Sequence, residues 1–162
     1  MPLDEYRRKR NFRTTSEPKG RVHSTGEPIF VVQKHHARQL HYDFRLAING
    51  VLVSWAIPKG PTLDPATKRF ATMTEDHPLE YADFEGVIPE GEYGAGSMIV
   101  WDRGEYEAAG ETAPEEQLQR GEIKVVLRGK KLQGEFALIH MGRRTGKPRE
   151  KSRWLLVKKR DE

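Results

Sequence analysis

The 162-residue chain contains no cysteine. Disulfide frameworks, thiolate metal sites and cysteine nucleophiles are therefore excluded, and the composition suits a reducing compartment. No apolar run is long enough for a membrane span or for the core of a signal peptide, so the sequence predicts a protein of the cytoplasm with no membrane partner. No Walker sequence is present. The glycines of 91–96 precede a predicted strand rather than a helix, so they form no dinucleotide fingerprint. There is no internal repeat. Apolar residues are sparse as well: 36% of the chain is hydrophobic against 32% charged. At this length that predicts one domain with a compact core and a salty surface.

The charge that is present is unevenly placed. The net charge of +4 conceals a basic segment at 1–26 (+4), an acidic body (−6) and a basic segment at 142–162 (+6). Basic arms on an acidic body suit a polyanion, and nucleic acid is the commonest such partner. Residues 1–26 lack apolar periodicity and read as an irregular basic N-terminal arm; residues 27–160 read as the folded domain.

Within that domain, strands are predicted at Ile29–Lys34, at 41–48 and 51–57 joined by Asn49-Gly50, at Arg69–Glu75, and at Trp154–Lys159. Residues 83–96 read as a shaped Gly-rich loop. Ser97–Asp102 and Glu105–Ala108 suggest a hairpin about Arg103-Gly104, and Glu122–Arg128 with Leu132–Ile139 another across Gly129-Lys130-Lys131. One helix is predicted, opened by the capping-box sequence from Thr112 to Glu115 with Pro114 in its first turn, and closed by Gly121. Many short strands, Gly/Pro turns and a single helix give an all-β class, barrel or sandwich. Phe30, Trp55, Trp101, Phe136 and Trp154 fall in predicted strands and read as core.

The chemistry concentrates on one strand. In His41-Tyr-Asp-Phe-Arg45, alternation sends His41, Asp43 and Arg45 to one face and Tyr42, Phe44, Leu46 and Ile48 to the other. A two-residue Asn-Gly turn fixes the register. Ile48 then faces Val51, Leu46 faces Val53, Phe44 faces Trp55 and Tyr42 faces Ile57. Arg45 faces Ser54 and Asp43 faces Ala56, both small partners that leave room for a ligand. With His35, the pattern is H-x5-H-x-D, a donor set that suits Mn, Fe(II), Zn or Co. A metal beside a guanidinium is equipment for a phosphate. The same residues also fit a solvated strand face with an Arg45–Asp43 surface pair. His77 fits a turn or an acid–base group, Tyr81 fits packing or a hydroxyl donor, and Lys59 and Arg69 fit solvated charges or phosphate contacts. His36 points away from His35.

Several ordered blocks together, Phe30–His35, Leu40–Arg45, Trp55–Pro61, Glu75–Pro78 and Phe84–Gly96, resemble the 3′-phosphoesterase module of the bacterial end-joining enzyme ligase D. The likeness runs from about Tyr6 to Lys158 and suggests a stand-alone version of that module. The resemblance implies a single-domain β-barrel with its active site on the outer surface. It implies a Mn²⁺-dependent hydrolase, with Co²⁺ or Zn²⁺ as alternatives, acting on primer–template or duplex DNA 3′ ends. Such an enzyme removes terminal ribonucleosides and then 3′-phosphates, leaving 3′-OH ends for non-homologous end joining. A separate DNA ligase and end-joining proteins are the implied partners, and the chain is expected to be a monomer associated with the nucleoid through DNA.

By matching motifs, His35, His41 and Asp43 are the implied metal ligands. Arg45 and His77 are implied at the reaction centre with Tyr81 beside them, and Gln33, Lys59, Arg69 and Glu75 as supporting polar residues. In the arm, Arg10 and Glu17 match, but Asn11 replaces an acidic residue of the family's functional set. That departure bears most on the ribonucleoside-removing step. Two other classes remain: a 2-His-1-carboxylate Fe(II) oxygenase using His41, Asp43 and a distant His77 or His140, and a non-catalytic DNA-binding barrel.

Overall fold

A computed structural model describes residues 2–20, 27–142 and 150–160. The strands are β1 (Ile29–His36), β2 (Leu40–Ile48), β3 (Val51–Ile57), β4 (Lys68–His77), β5 (Gly86–Ile88), β6 (Gly96–Ala108), β7 (Glu122–Gly129), β8 (Gln133–His140) and β9 (Arg153–Lys158). They pair antiparallel in the order β1-β2-β3-β4-β9-β8-β7-β6-β5, and β6 also pairs with β1. Eight strands thus close into a barrel, and β5 is a short flap on β6. Closure removes the sheet edges that would otherwise need protection. A helix, α2 (Pro114–Arg120), lies outside β7, and a 3₁₀ turn spans Leu79–Asp83. Among the described residues no helix is long and apolar enough to cross a membrane.

The β2–β3 hairpin has the predicted register, from Ile48 opposite Val51 to Tyr42 opposite Ile57. Asn49 and Gly50 both carry positive φ, 52° and 85°, as the tight turn requires. Phe44, Leu46, Trp55 and Ile57 point into the barrel, where Phe30, Phe136 and Trp154 join them. Trp101 is only partly buried against that core. A second apolar cluster, including Tyr6, Val31, Leu52, Tyr81 and Phe84, packs on the outside of the barrel wall. It seats the N-terminal segment and the 3₁₀ turn there.

Four local expectations change. Arg103-Gly104 is not a turn: β6 runs unbroken through it, and Gly104 lies between Phe30 on β1 and Gly129 on β7. The glycine is there for close approach, since a Cβ would come within 2.1 Å of the Arg128 carbonyl oxygen. The Gly-rich segment 83–96 contains β5, whose three residues pair with Gly96–Met98. A run that short between Gly and Pro leaves no periodic signal. At α2 the first flanking residue is Ala113 and no side chain caps the helix, although Pro114 and the left-handed Gly121 (φ 75°) bound it as predicted. The arm also includes a helical turn, α1 (Asp4–Arg8). It has acidic residues in its first turn and basic residues in its last, a favourable order for so short a helix. Of the two basic segments, residues 21–26, 143–149 and 161–162 lie outside the described residues, and 153–158 form β9.

Candidate metal centre and phosphate pocket

The outward faces of β1 and β2 supply three donors. Their pairing sets His35 opposite His41 and Gln33 opposite Asp43. His35 Nδ1 lies 3.2 Å from His41 Nε2, His41 Nε2 lies 3.2 Å from one Asp43 oxygen, and His35 Nδ1 lies 3.5 Å from the other. The far nitrogen of each ring meets a backbone carbonyl: His35 Nε2 at 2.6 Å from Gly94 O and His41 Nδ1 at 3.1 Å from Gln39 O. Each far nitrogen therefore carries the proton and donates it. The near nitrogens face one another and the Asp43 carboxylate, so that a bound cation would take the place of the proton they share with it. That arrangement, with outer carbonyls fixing the tautomers, is what a cation-binding donor set needs. Gly94, at φ 76°, gives the loop the conformation that brings its carbonyl to His35.

Burial works to raise the Asp43 carboxyl, but Arg45 and the hydrogen bonds from His35 and His41 more than offset it and hold it well below the usual range. At His41 burial is the largest single influence and pushes its pKa down, but the hydrogen bond and charge of Asp43, with the Gln39 carbonyl, together outweigh it and give a net rise. A cation would therefore displace a proton shared within an already ionised cluster.

Arg45 stands next on the same face, 2% exposed. Its Nε donates to Gln33 Oε1 at 2.7 Å, one terminal nitrogen lies 3.1 Å from His77 Nδ1, and the other 3.5 Å from Asp43. Gln33 is itself held because its amide donates to the carbonyls of Tyr81 and Phe84, at 2.7 and 3.1 Å. The guanidinium is thus oriented from both ends, and its plane lies 4.8 Å from the Tyr81 ring centroid.

An irregularity in the β3–β4 register inserts an extra residue on β4 between the partners of Ser54 and Leu52. Thr74, Glu75 and His77 consequently all line one cavity with His35, His41, Asp43 and Arg45. Bulges commonly re-aim side chains in this way. Burial, then Arg45 and Arg10, lower the His77 pKa well below the ordinary imidazole value. The ring is neutral at pH 7, with Nδ1 3.3 Å from the Ser54 hydroxyl and Nε2 3.4 Å from Arg10.

The N-terminal segment forms the cavity's roof. Arg10 donates to Glu17 at 2.9 Å and to Glu75 at 3.2 Å, with its guanidinium 3.9 Å over the Tyr6 ring. The Tyr81 hydroxyl donates to the same Glu17 oxygen at 2.5 Å; burial above all raises that hydroxyl's pKa. Lys9 donates to Glu75 at 3.2 Å and to Glu150 at 2.5 Å, and lies 4.7 Å over the Tyr93 ring. The cavity encloses about 290 Å³.

Ten sequence-marked residues thus meet here, in and around the cavity: His35, His41, Asp43, Arg45, His77, Tyr81, Gln33, Glu75, Arg10 and Glu17. Lys59 and Arg69 do not line it. Lys59 is exposed in the turn after β3, and Arg69 lies on β4 opposite Leu156. Asn11 is exposed, its side chain accepting from the Arg13 backbone N–H at 3.1 Å. Neither His77 nor His140 joins the three-donor cluster among the described residues; His140 packs on Trp154 at 5.1 Å. The oxygenase arrangement is therefore not favoured. Lys9, Tyr6 and Tyr93 carried no signal in the sequence, and Ser54 was marked only as the small partner of Arg45. Single residues of common type, they become visible only once the arm and the loop at 89–95 fold over β1–β4. A larger hollow of about 1240 Å³ beside α2 is lined by Gln117, Arg120, Glu122 and Lys124 without a comparable convergence.

Residues 33–140 match the family described as the DNA ligase D 3′-phosphoesterase domain. The multifunctional non-homologous end joining protein LigD of Pseudomonas aeruginosa is 54% identical over 163 residues, covering 99% of this chain and 19% of that protein. Its namesake in Mycolicibacterium smegmatis is 49% identical over 143 residues, covering 85% and 19%. The DNA repair protein LigD of Mycobacterium tuberculosis is 47% identical over 143 residues, covering 85% and 18%. The chain spans about a fifth of the length of these relatives.

Proposed function

The chain belongs to the DNA ligase D 3′-phosphoesterase family, and from that membership we propose that it is a metal-dependent hydrolase of DNA 3′ ends. In this reading it removes 3′-terminal ribonucleosides and 3′-phosphates and leaves 3′-OH ends for non-homologous end joining by a DNA ligase. The observation that carries the reading is the convergence of two imidazole nitrogens and an ionised carboxylate, within 4.8 Å of one another, beside a buried, doubly oriented arginine.

His35, His41 and Asp43 would hold the cation. Two nitrogens and one carboxylate fit Mn²⁺, with Co²⁺ or Zn²⁺ as alternatives. When bound there, a divalent ion supplies Lewis-acid polarisation of a phosphoryl oxygen and a more acidic water.

The remaining chemistry falls to the chain's own groups. Arg45 would present the terminal N–H groups not taken by His77 and Asp43 to the phosphoryl oxygens as charge builds on them. It is held in place beforehand by Gln33 and Tyr81, so little reorganisation is needed at the moment of reaction. Neutral His77 hydrogen-bonds the phosphate and stands ready for proton transfer to the departing oxygen. An incoming phosphate adds the negative charge that Arg45 and Arg10 now counterbalance, which raises the imidazole's affinity for a proton. In phosphate removal a water oxygen bonds to phosphorus and gives up a proton, the bond from phosphorus to the 3′ oxygen breaks, and that oxygen takes up one proton, so that inorganic phosphate and a 3′-OH end result. Tyr81, Glu17, Arg10 and Glu75 tie the arm across the site and exclude bulk water.

The test is a labelled primer–template ending in one ribonucleotide, run beside a 3′-phosphate primer, each with Mn²⁺ or with EDTA. Conversion of both to 3′-OH with Mn²⁺ alone is expected. No metal-dependent product from either primer would overturn the reading. Action on the phosphate alone would restrict it to a phosphomonoesterase.

A further inference from the structure

The pairing registers draw a straight line away from the metal centre. Asp43 on β2 is opposite Ala56 on β3, Ala56 is opposite Thr72 on β4, and Thr72 is opposite Arg153 on β9. Paired residues share a face of a sheet, so all four lie on the barrel's outer surface. The two positions between the carboxylate and the arginine bear only small side chains, which leaves a shallow unobstructed path. Three strand spacings of about 4.8 Å put Arg153 about 14 Å from the centre, the rise of about four nucleotides of duplex at 3.4 Å each.

The same face continues along β4 through Phe70, 61% exposed, to Lys68. Lys68, Lys151 and Arg153 are all exposed, and none makes an ion pair among the described residues. The opposite flank of the cavity has the other sign. Glu85 and Glu90 are exposed there, while Asp83 and Arg103 neutralise each other. A polyanion leaving the cavity is repelled on the β5 flank and attracted on the β9 flank.

We propose that the outer face of β4 and β9, centred on Lys68, Phe70, Thr72 and Arg153, is the track on which the duplex behind the reacting 3′ end lies. The proposal rests on the reading of the chain as a DNA 3′-end phosphoesterase, and it adds the direction in which the substrate leaves the site. Lys68 and Arg153 contact backbone phosphates, and Phe70 packs on the sugar face between them. The contacts are to the backbone, so the track is indifferent to sequence.

The experiment compares the wild type, Lys68→Glu/Arg153→Glu, Phe70→Ala, and a control double reversal, Arg120→Glu/Arg128→Glu, which makes the same charge change away from the track. All substituted residues are solvent-exposed, so the variants should fold. Binding of a 24-base-pair primer–template is followed by fluorescence anisotropy against salt, and turnover of its 3′-phosphate is measured in parallel. The track variant should raise KM at least tenfold, with the loss falling on KM rather than kcat. Its slope of log affinity against log salt should drop by about 2, since each phosphate contact contributes about 0.9. Phe70→Ala should raise KM about threefold without changing the slope. If the track variant shows no more change than the control in both KM and slope, the track does not exist, and the exposed face serves another partner. A wild type inactive on every 3′ end would refute the functional reading instead, and the anisotropy slopes would still decide the track.

Discussion

The β2–β3 hairpin buries both of its faces, by opposite means. Inside the barrel, Phe44, Leu46, Trp55 and Ile57 are fully buried against one another and against Trp154 and Phe136. Outside, Asp43, Arg45 and Ser54 are almost as inaccessible, at 5%, 2% and 0% exposure. The inner face is buried by apolar packing, which is stabilising in itself at about 25 cal/mol per Å². The outer face gains nothing by burial alone. Each of its polar groups must find a partner or destabilise the fold, and most of the partners come from outside the hairpin: His35 and Gln33 on β1, His77 at the bulged end of β4 and Tyr81 in the 3₁₀ turn. One face of the hairpin therefore sets how stable the barrel is, and the other sets what it can do. If that division is right, substitutions on the two faces should damage different observables.

The largest effect is expected on the outer face. His41→Ala removes one of three donors at a partly exposed position, so the barrel should remain folded while metal-dependent turnover falls about 10³-fold or more. Mn²⁺ should also stop raising the melting temperature, a readout independent of catalysis; full activity and an unchanged Mn²⁺ shift would remove the proposed centre. On the inner face, Trp55→Ala should destabilise the barrel by about 3–5 kcal/mol through the cavity it leaves, read by urea denaturation. The molecules that remain folded should keep their Mn²⁺ response. A selective loss of metal binding with unchanged stability would break the division between faces. Arg45→Lys comes next. It keeps the charge beside Asp43 but loses the fork shared between Gln33 and His77, so kcat should fall about 10²-fold, while stability falls by only about 1–3 kcal/mol as the Gln33 carbonyl loses its donor. An unaltered kcat would reduce Arg45 to a partner for Asp43.

The same contrast explains what could be read from the sequence. The inner face was legible because alternation and the Asn49-Gly50 turn are local signals, and together they fix one register. The outward pointing of His41, Asp43 and Arg45 followed from that register. The roof over them did not, because Arg10, Glu17 and Tyr81 meet across separations of up to 64 residues that no local pattern encodes. Their grouping rested on family resemblance, not on spacing. Arg103-Gly104 misled for a related reason: glycine marks either a turn or a close approach, and only the position of β7 beside β6 tells which. The extra residue of β4 near Glu75 was equally invisible, since a bulge alters the face of a side chain without altering composition.

The smallest predicted effect concerns Asn11 in the N-terminal segment, where the resemblance to the phosphoesterase module leads one to expect an acidic residue. Asn11 already has a structural task. Its side chain accepts from the Arg13 N–H, and its carbonyl accepts from the Thr14 and Thr15 N–H groups at 3.0 and 3.1 Å. Aspartate caps such a turn equally well, so Asn11→Asp should leave stability within about 0.5 kcal/mol. What it adds is a negative charge and a proton acceptor beside Arg10, whose guanidinium reaches His77 and Glu75. Removal of a 3′ ribonucleoside should therefore rise about threefold or more relative to removal of a 3′-phosphate from the same primer. Both rates would be measured on one preparation so that folding and metal loading cancel in the ratio. An unchanged ratio would mean that the balance between the two steps is set within the His77–Arg45–Tyr81 cluster, and that the asparagine serves only to close the turn that carries Arg10 into the site.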